Sequence, residues 1–294
     1  MQFMSFKWRD APRLGVVHNG LVYPVEACGF DGHLLDLIDA GPHVLEGIRR
    51  TTGRLTSDQA AGTPADLTPL AVIPHPRRTI FCAGKTYRDH AIEYTRSGYD
   101  KKGAQEVPDE PVAFFKLAEC VVSSGEAVDA QADVTQEMDY EAELAFVLKS
   151  GGRRLSREEA REAIFGYFLV NDLTARDWQK GRDQWVVGKS FDGFFPMGSL
   201  IVTADEISDL SQLRFECYVN GEKRQDGNPA DLLFKPEALI EYFSRGITLI
   251  PGDIFSTGSP LGPGIGFNPP KFLRAGDSVM INSPLMGALE TPVT

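Results

Sequence analysis

The chain has no run approaching the roughly 18 uncharged apolar residues that a membrane-spanning helix needs, and its first residues, MQFMSFKWRDAPRLG, lack the apolar centre of a signal peptide. A soluble, cytoplasmic protein with no membrane partner is therefore expected. Cysteine is scarce: Cys28, Cys82, Cys120 and Cys217 stand far apart and form no Cys-x-x-Cys pair. Neither a zinc site nor a disulfide framework is indicated, which leaves reduced thiols. Basic blocks are missing too. With 30 Lys and Arg against 41 Asp and Glu, the formal net charge is -11, which argues against nucleic-acid partners because these are held by clustered positive charge. Glycine is plentiful, but TGSPLGPGIG has no Gly-Lys-Ser/Thr ending and no Gly-x-Gly-x-x-Gly follows a strand, so phosphate-loop and dinucleotide sites are not indicated. The absence of Gly-x-Ser-x-Gly removes the clearest sign of a serine hydrolase.

What is present is ordinary globular material, 294 residues of which 42% are hydrophobic. Residues 1–74 read as a small β-rich N-terminal domain. In PRLGVVHNGLVYPV, two apolar runs flank Asn19-Gly20, a hairpin-turn signal. LLDLIDAG and HVLEGIRR then read as helices, and Pro74-His75-Pro76 marks a break. Residues 75–294 read as the main body. SREEAREAIFG opens with a capping box, Ser156 and Glu159, and is expected to run as a helix to Gly166. LRFECYVNG alternates as a strand and turns at Asn220-Gly221, while KPEALIEYFSRG reads as a helix between Pro236 and Gly246. Strands outnumber helices without alternating with them, so the fold class is α+β and β-rich.

The stretch MDYEAELAFV carries the main functional signal. As one strand it places Asp139, Glu141 and Glu143 on one face and Tyr140, Ala142, Leu144 and Phe146 on the other. A solvated edge is the ordinary reading of such acids. The acidic face continues, however, as Ala145 and Val147, and clustered like charges on a half-buried face are costly unless a cation neutralises them. A hard divalent ion suits such oxygen ligands. Asp172, where the apolar run of YFLVND stops, offers a third carboxylate, although a turn or cap aspartate fits equally well. Arg176, Gln179 and Lys189 follow closely and could hold a carboxylate or enolate oxygen beside a metal.

Of five histidines, His18, His33, His43 and His75 fall in the N-terminal unit or the connection after it and read as surface or packing residues. His90 differs. In FCAGKTYRDHAIEY, Asp89 can cap a helix on which His90 and Glu93 lie three apart on one face. A carboxylate so placed can orient an imidazole and raise its basicity, although a surface ion pair is also compatible.

Taken in order, Gly84-x-x-Tyr87-x-x-His90-x-x-Glu93, Asp139-Tyr140-Glu141-x-Glu143-Leu144, the Gly166 to Gln179 segment GYFLVNDLTARDWQ, Gly188-Lys189-Ser190, VNGEKRQ from Val219, LIPGDI from Leu249 and Ser256-Thr257-Gly258-Ser259-Pro260 resemble the fumarylacetoacetate hydrolase superfamily. The resemblance covers residues 75–294. It implies a fumarylacetoacetate hydrolase-like mixed β-roll, a homodimer, and a Mg2+ or Mn2+ ion, with Ca2+ also compatible, held by Glu141, Glu143 and Asp172. It further implies that His90 and Glu93 sit on a lid and activate water, and that Lys189, Arg176 and Gln179 steady the substrate. Tyr87, Thr257 and Ser259 are carried over as substrate-binding positions. Two departures stand out: Thr86 replaces the family's usual Asn, and Ser259 replaces the second Thr of Thr-Gly-Thr-Pro. The segment Ser97 to Pro111, which should frame the lid, is long and charged.

The implied activity is metal-dependent hydrolysis of a carbon-carbon bond in an acylpyruvate-like 2,4-dioxo acid, so the expected partner is a small anionic 2-oxo acid. Decarboxylation, isomerisation including tautomerisation, or hydration at the same site is the alternative, and a non-catalytic binding protein is the alternative of another class. Asp139 is expected to lie farther from the ion than the two glutamates.

Overall fold

The structure, a computed structural model, describes residues 1–100 and 105–294. Of the charged segment expected to frame the lid, 101–104 lie outside the described residues. Three sheets carry the fold. The largest runs, in spatial order, through Leu21–Pro24, Ala11–His18, Gln2–Trp8, Leu200–Thr203, Ile164–Asn171, Ala142–Leu148, Ile254–Ser256, Ile80–Gly84 and Val112–Lys116. The first three of these strands belong to the N-terminal segment and join the body where Gln2–Trp8 pairs antiparallel with Leu200–Thr203. A second sheet orders Glu222–Gly227, Phe215–Val219, Ser278–Ser283 and Gly287–Pro292. Met138–Asp139 and Thr174–Ala175 form a short third one. No described helix is long and apolar enough to cross a membrane.

Local signals set most of these elements. Asn19 and Gly20 take φ of 49° and 78°, and Asn220 and Gly221 take 51° and 81°. These left-handed pairs match the twist of the strands they join, as Asn-Gly requires. Ser156 caps the helix Arg157–Ala163 with the expected capping box, but that helix stops at Ala163 and the strand starts at Ile164. Gly166 explains why: a Cβ there would lie 2.5 Å from the Val202 carbonyl oxygen, so the glycine serves a close strand crossing and not a helix end.

Glu143 reaches its place through the central strands. Ala142–Leu148 is buried on both faces. Leu144, Phe146 and Leu148 face one core, and Ala145 and Val147 face another. Phe146, Phe255 and Phe81 lie opposite one another on three neighbouring strands. Their rings stack with centroids 5.0 and 4.8 Å apart. Each such pair is worth roughly 0.5–1.5 kcal/mol beyond its buried area, and a one-residue slip would turn every ring to the wrong face. The same register sets Ser256 beside Ala145, next to Glu143.

One expectation fails in detail. MDYEAELAFV is not a single strand: Met138–Asp139 pairs with Thr174–Ala175, the ladder breaks at Tyr140 and Glu141, and a second strand starts at Ala142. Asp139 accepts hydrogen bonds from the backbone N–H groups of Tyr140, Gly264 and Ile265. These bonds bend the chain locally, so Glu141 leaves the pleat.

Candidate metal and proton-transfer site

The acids converge. Glu141, Glu143 and Asp172 each offer a carboxylate oxygen within 4.8 Å of the others, and all three are buried. Glu143 projects from the central strand, Asp172 follows the last residue of Ile164–Asn171, and the Asp172 N–H donates to the Glu141 carbonyl at 2.8 Å. Ser256 Oγ donates a short hydrogen bond to Glu143 Oε2, and the Gly258 N–H donates to the same oxygen at 2.9 Å.

Three cations face this cluster. Lys189 Nζ lies 2.5 Å from Glu141 Oε2 and 2.6 Å from Asp172 Oδ2. Lys116 Nζ lies 2.5 Å from Asp172 Oδ1 and donates to the Leu173 carbonyl at 2.9 Å. Arg176 forks between Asp139 Oδ2 at 2.8 Å and Glu141 Oε1 at 2.7 Å, and its third nitrogen holds Gln179 Oε1 at 3.0 Å. Among the described residues, four buried acids, Asp139 included, thus meet three buried bases, one acid more than the bases can match if all four ionise.

The titration behaviour follows from that imbalance. Burial, then the charges of Asp172 and Glu141, pushes Glu143 up to about 8. Burial also pushes Glu141 up, but Arg176 and Lys189 outweigh it and hold the carboxyl well below the usual range. An all-oxygen donor set that becomes negative once Glu143 ionises fits a hard divalent cation such as Mg2+ or Mn2+. The three carboxylates could hold such an ion.

The dyad lies against the same cluster. On the helix Arg88–Arg96, His90 Nδ1 is 3.0 Å from Glu93 Oε2, and its Nε2 is 3.6 Å from Glu141 Oε1. Burial lowers the pKa of His90, but its contacts with Glu141 and Glu93 more than offset this, and the net shift is upward. The N-cap of this helix is Tyr87 and not the expected Asp89, which sits inside the first turn. The entry differs because Lys85 takes a left-handed turn with φ of 55° and the Thr86 hydroxyl is committed to the Thr257 carbonyl at 2.6 Å. That bond gives Thr86, where the family commonly has Asn, a structural use. Gly258 accommodates it, since a Cβ there would meet Thr86 Oγ1 at 2.0 Å.

A cavity of about 20 Å3 lies between dyad and acids, room for about one water. His90, Glu141, Glu143, Arg176, Gln179, Lys189 and Ser259 line it. Ser259 Oγ accepts from Gln225 Nε2 at 2.7 Å. Thr257 and Tyr87 are not among the walls: the Thr257 hydroxyl donates to the Leu144 carbonyl at 2.9 Å, and the buried Tyr87 hydroxyl has no hydrogen-bond partner among the described residues. Sequence reasoning missed Lys116 and Ser256. The only signal for Lys116 was a lysine ending the apolar run VAFF.

Fold and site together define a β-rich α+β protein with a buried carboxylate centre able to hold a metal under a His–Glu pair. The family model for the fumarylacetoacetate (FAA) hydrolase C-terminal domain matches residues 79–294. The chain is 44% identical over 223 residues to oxaloacetate tautomerase YisK of Bacillus subtilis, covering 76% of this chain and 72% of that protein. It is 40% identical over 301 residues to the mitochondrial oxaloacetate tautomerase fahd2 of Xenopus laevis, covering 100% and 90%. The solved fumarylacetoacetate hydrolase from psychrophilic Exiguobacterium antarcticum matches with a TM-score of 0.83 at 35% identity, covering 100% of this chain and 99% of that one. Maleylpyruvate hydrolase from Sphingobium sp. SYK-6, solved in complex with manganese (II) ion and pyruvate, matches with a TM-score of 0.76 at 26% identity, covering 100% and 99%. The chain belongs to the fumarylacetoacetate hydrolase family.

Proposed function

We propose that the protein is a divalent-metal-dependent enzyme that interconverts the keto and enol forms of an oxaloacetate-type 2-oxo acid. The observation that carries this is the approach of the His90–Glu93 pair to the carboxylate triad, His90 Nε2 lying 3.6 Å from Glu141. Glu141, Glu143 and Asp172 would hold a divalent ion, which would supply Lewis acidity toward the substrate's carboxylate and 2-oxo oxygens. Lys189 and Arg176 bring fixed positive charge to the same oxygens, where negative charge develops as the enolate forms. Glu93 accepts the Nδ1 proton of His90, which leaves Nε2 free to take a proton from the carbon next to the oxo group and to deliver it in the reverse direction. The tautomers have the same composition, so the proton removed at one atom is balanced by one delivered at the other. The oxaloacetate tautomerases similar to this chain support the choice of substrate.

Hydrolysis of an acylpyruvate is the second reading, favoured by the neighbouring maleylpyruvate hydrolase with its bound pyruvate. In it, the same pair would direct water to the distal carbonyl, and cleavage would leave pyruvate enolate beside Lys189. The test is to follow loss of the ultraviolet absorbance of enol-oxaloacetate with Mg2+ and again after EDTA, alongside CO2 release and an acylpyruvate panel. Metal-dependent acceleration without CO2 is expected. Cleavage of the panel without any effect on oxaloacetate would shift the assignment to hydrolase, and inertness toward every 2-oxo acid would sink both.

A further inference from the structure

The inner cavity has polar groups on one side and an aromatic wall of Tyr94, Phe114 and Trp185 on the other. Behind that wall lies a second cavity of about 310 Å3. The same three rings and Lys85 line both spaces. Trp185 is the centre of the partition: its ring lies 6.0 Å from Tyr94 and 5.5 Å from Phe114, centroid to centroid. Two features hold the indole in place. Its Nε1 donates to the Arg182 carbonyl at 3.2 Å, and its far edge packs on the backbone at Gly84, where an added Cβ would come within 3.1 Å of Trp185 Cζ3. The Trp185 carbonyl also accepts from the Lys189 N–H at 3.1 Å, so the wall and the catalytic-site lysine share one helical turn.

We propose that Trp185 is a specificity-determining residue, the partition that confines substrates to short 2-oxo acids and closes off an outer subsite suited to an uncharged acyl tail. This rests on the site binding a 2-oxo acid. The carboxylate and oxo groups of such a ligand belong with Lys189, Arg176 and the metal-binding acids, so its remaining end must point at the aromatic wall. Two basic residues, Lys85 and Arg182, and two acidic ones, Asp100 and Asp183, line the outer space. With these charges matched among the described residues, and with Pro108 and Val112 among its walls, it suits an apolar tail better than a second carboxylate. Truncating the indole joins the two spaces. A pocket that excludes or admits even one methylene discriminates by about 10- to 200-fold.

The test is calorimetric titration of the Mg2+-loaded protein with pyruvate and with 2-oxooctanoate. The unaltered protein is expected to bind pyruvate and to disfavour the longer acid. Trp185→Ala should tighten 2-oxooctanoate binding by about tenfold or more with pyruvate binding little changed, and Trp185→Phe should fall between. Unchanged 2-oxooctanoate affinity in variants that still bind pyruvate overturns the proposal, and so does loss of pyruvate binding without that gain. Should Trp185→Ala fail to fold, Trp185→Phe decides by the same criterion. An unaltered protein that binds neither acid is a different failure: it removes the 2-oxo acid reading of the site, and this inference with it.

Discussion

Lys189 and Asp172 meet at 2.6 Å, and the same ammonium reaches Glu141 at 2.5 Å. One lysine thus bridges two of the three carboxylates of the candidate metal set. Lysine and metal ion must compete for these oxygens, since like charges cannot share them without cost. Lys189→Met is therefore expected to bind Mg2+ at least as tightly as the unaltered protein while kcat falls by about 10²–10³-fold, the usual cost of losing one oxyanion-stabilising group. Calorimetric Mg2+ titration beside steady-state kinetics separates the two effects; a parallel loss of metal affinity would contradict the competition.

His90 contacts Glu141 but does not belong to the acid cluster. His90→Ala is expected to lower kcat by about 10²–10⁴-fold, the typical contribution of a positioned general base, and to leave Mg2+ affinity nearly intact. Full activity in that variant would remove the dyad from the reaction.

Glu143 sets a pH dependence in the metal-free protein. Its carboxyl is raised from 4.5 to about 8 by burial, then by the charges of Asp172 and Glu141. Between these values the folded protein holds a proton that the unfolded chain has released. This group's contribution to stability is thus fully present below the unfolded value and is lost as pH rises through about 8. Ion binding requires the carboxylate, so Mg2+ uptake near neutral pH should release close to one proton. Calorimetry in buffers of different ionisation heat reads this release directly, and a buffer-independent enthalpy would refute it.

Lys116 and Asp172 form a fully buried ion pair. Breaking a buried pair from one side typically costs about 3–5 kcal/mol, because the remaining charge loses its partner. Lys116→Met should approach the lower end of that range in urea unfolding of the metal-free protein, since Lys189 still faces Asp172. Added Mg2+ should restore part of the loss. A variant as stable as the parent would show that the pair adds nothing.

Local spacing made much of this site legible. His90 and Glu93, three apart on a helix, are brought near each other by backbone geometry alone, and Glu141 and Glu143 stand only two apart in the chain. The Asn-Gly hairpins and the Ser156 cap follow for the same reason, because each depends on a few consecutive residues. The end of the Ser156 helix was misjudged at Gly166 because the need for that glycine lies across the sheet, at Val202. The MDYEAELAFV break was hidden as well, since the groups that bend it are the N–H donors of Gly264 and Ile265.

The sequence by itself determined which carboxylates and bases the protein can bring to a site, because residue type and short spacing are written in the chain. Tertiary structure alone decided which of them share a charge and how large the site is. Lys116 stands 56 residues from Asp172, and nothing near it in the chain announces the pairing; strand register brings the two together. Trp185 likewise becomes a wall only because Tyr94 and Phe114, from two other elements, pack against it. Long-range packing turns residues that look like ordinary core into the boundary of the site.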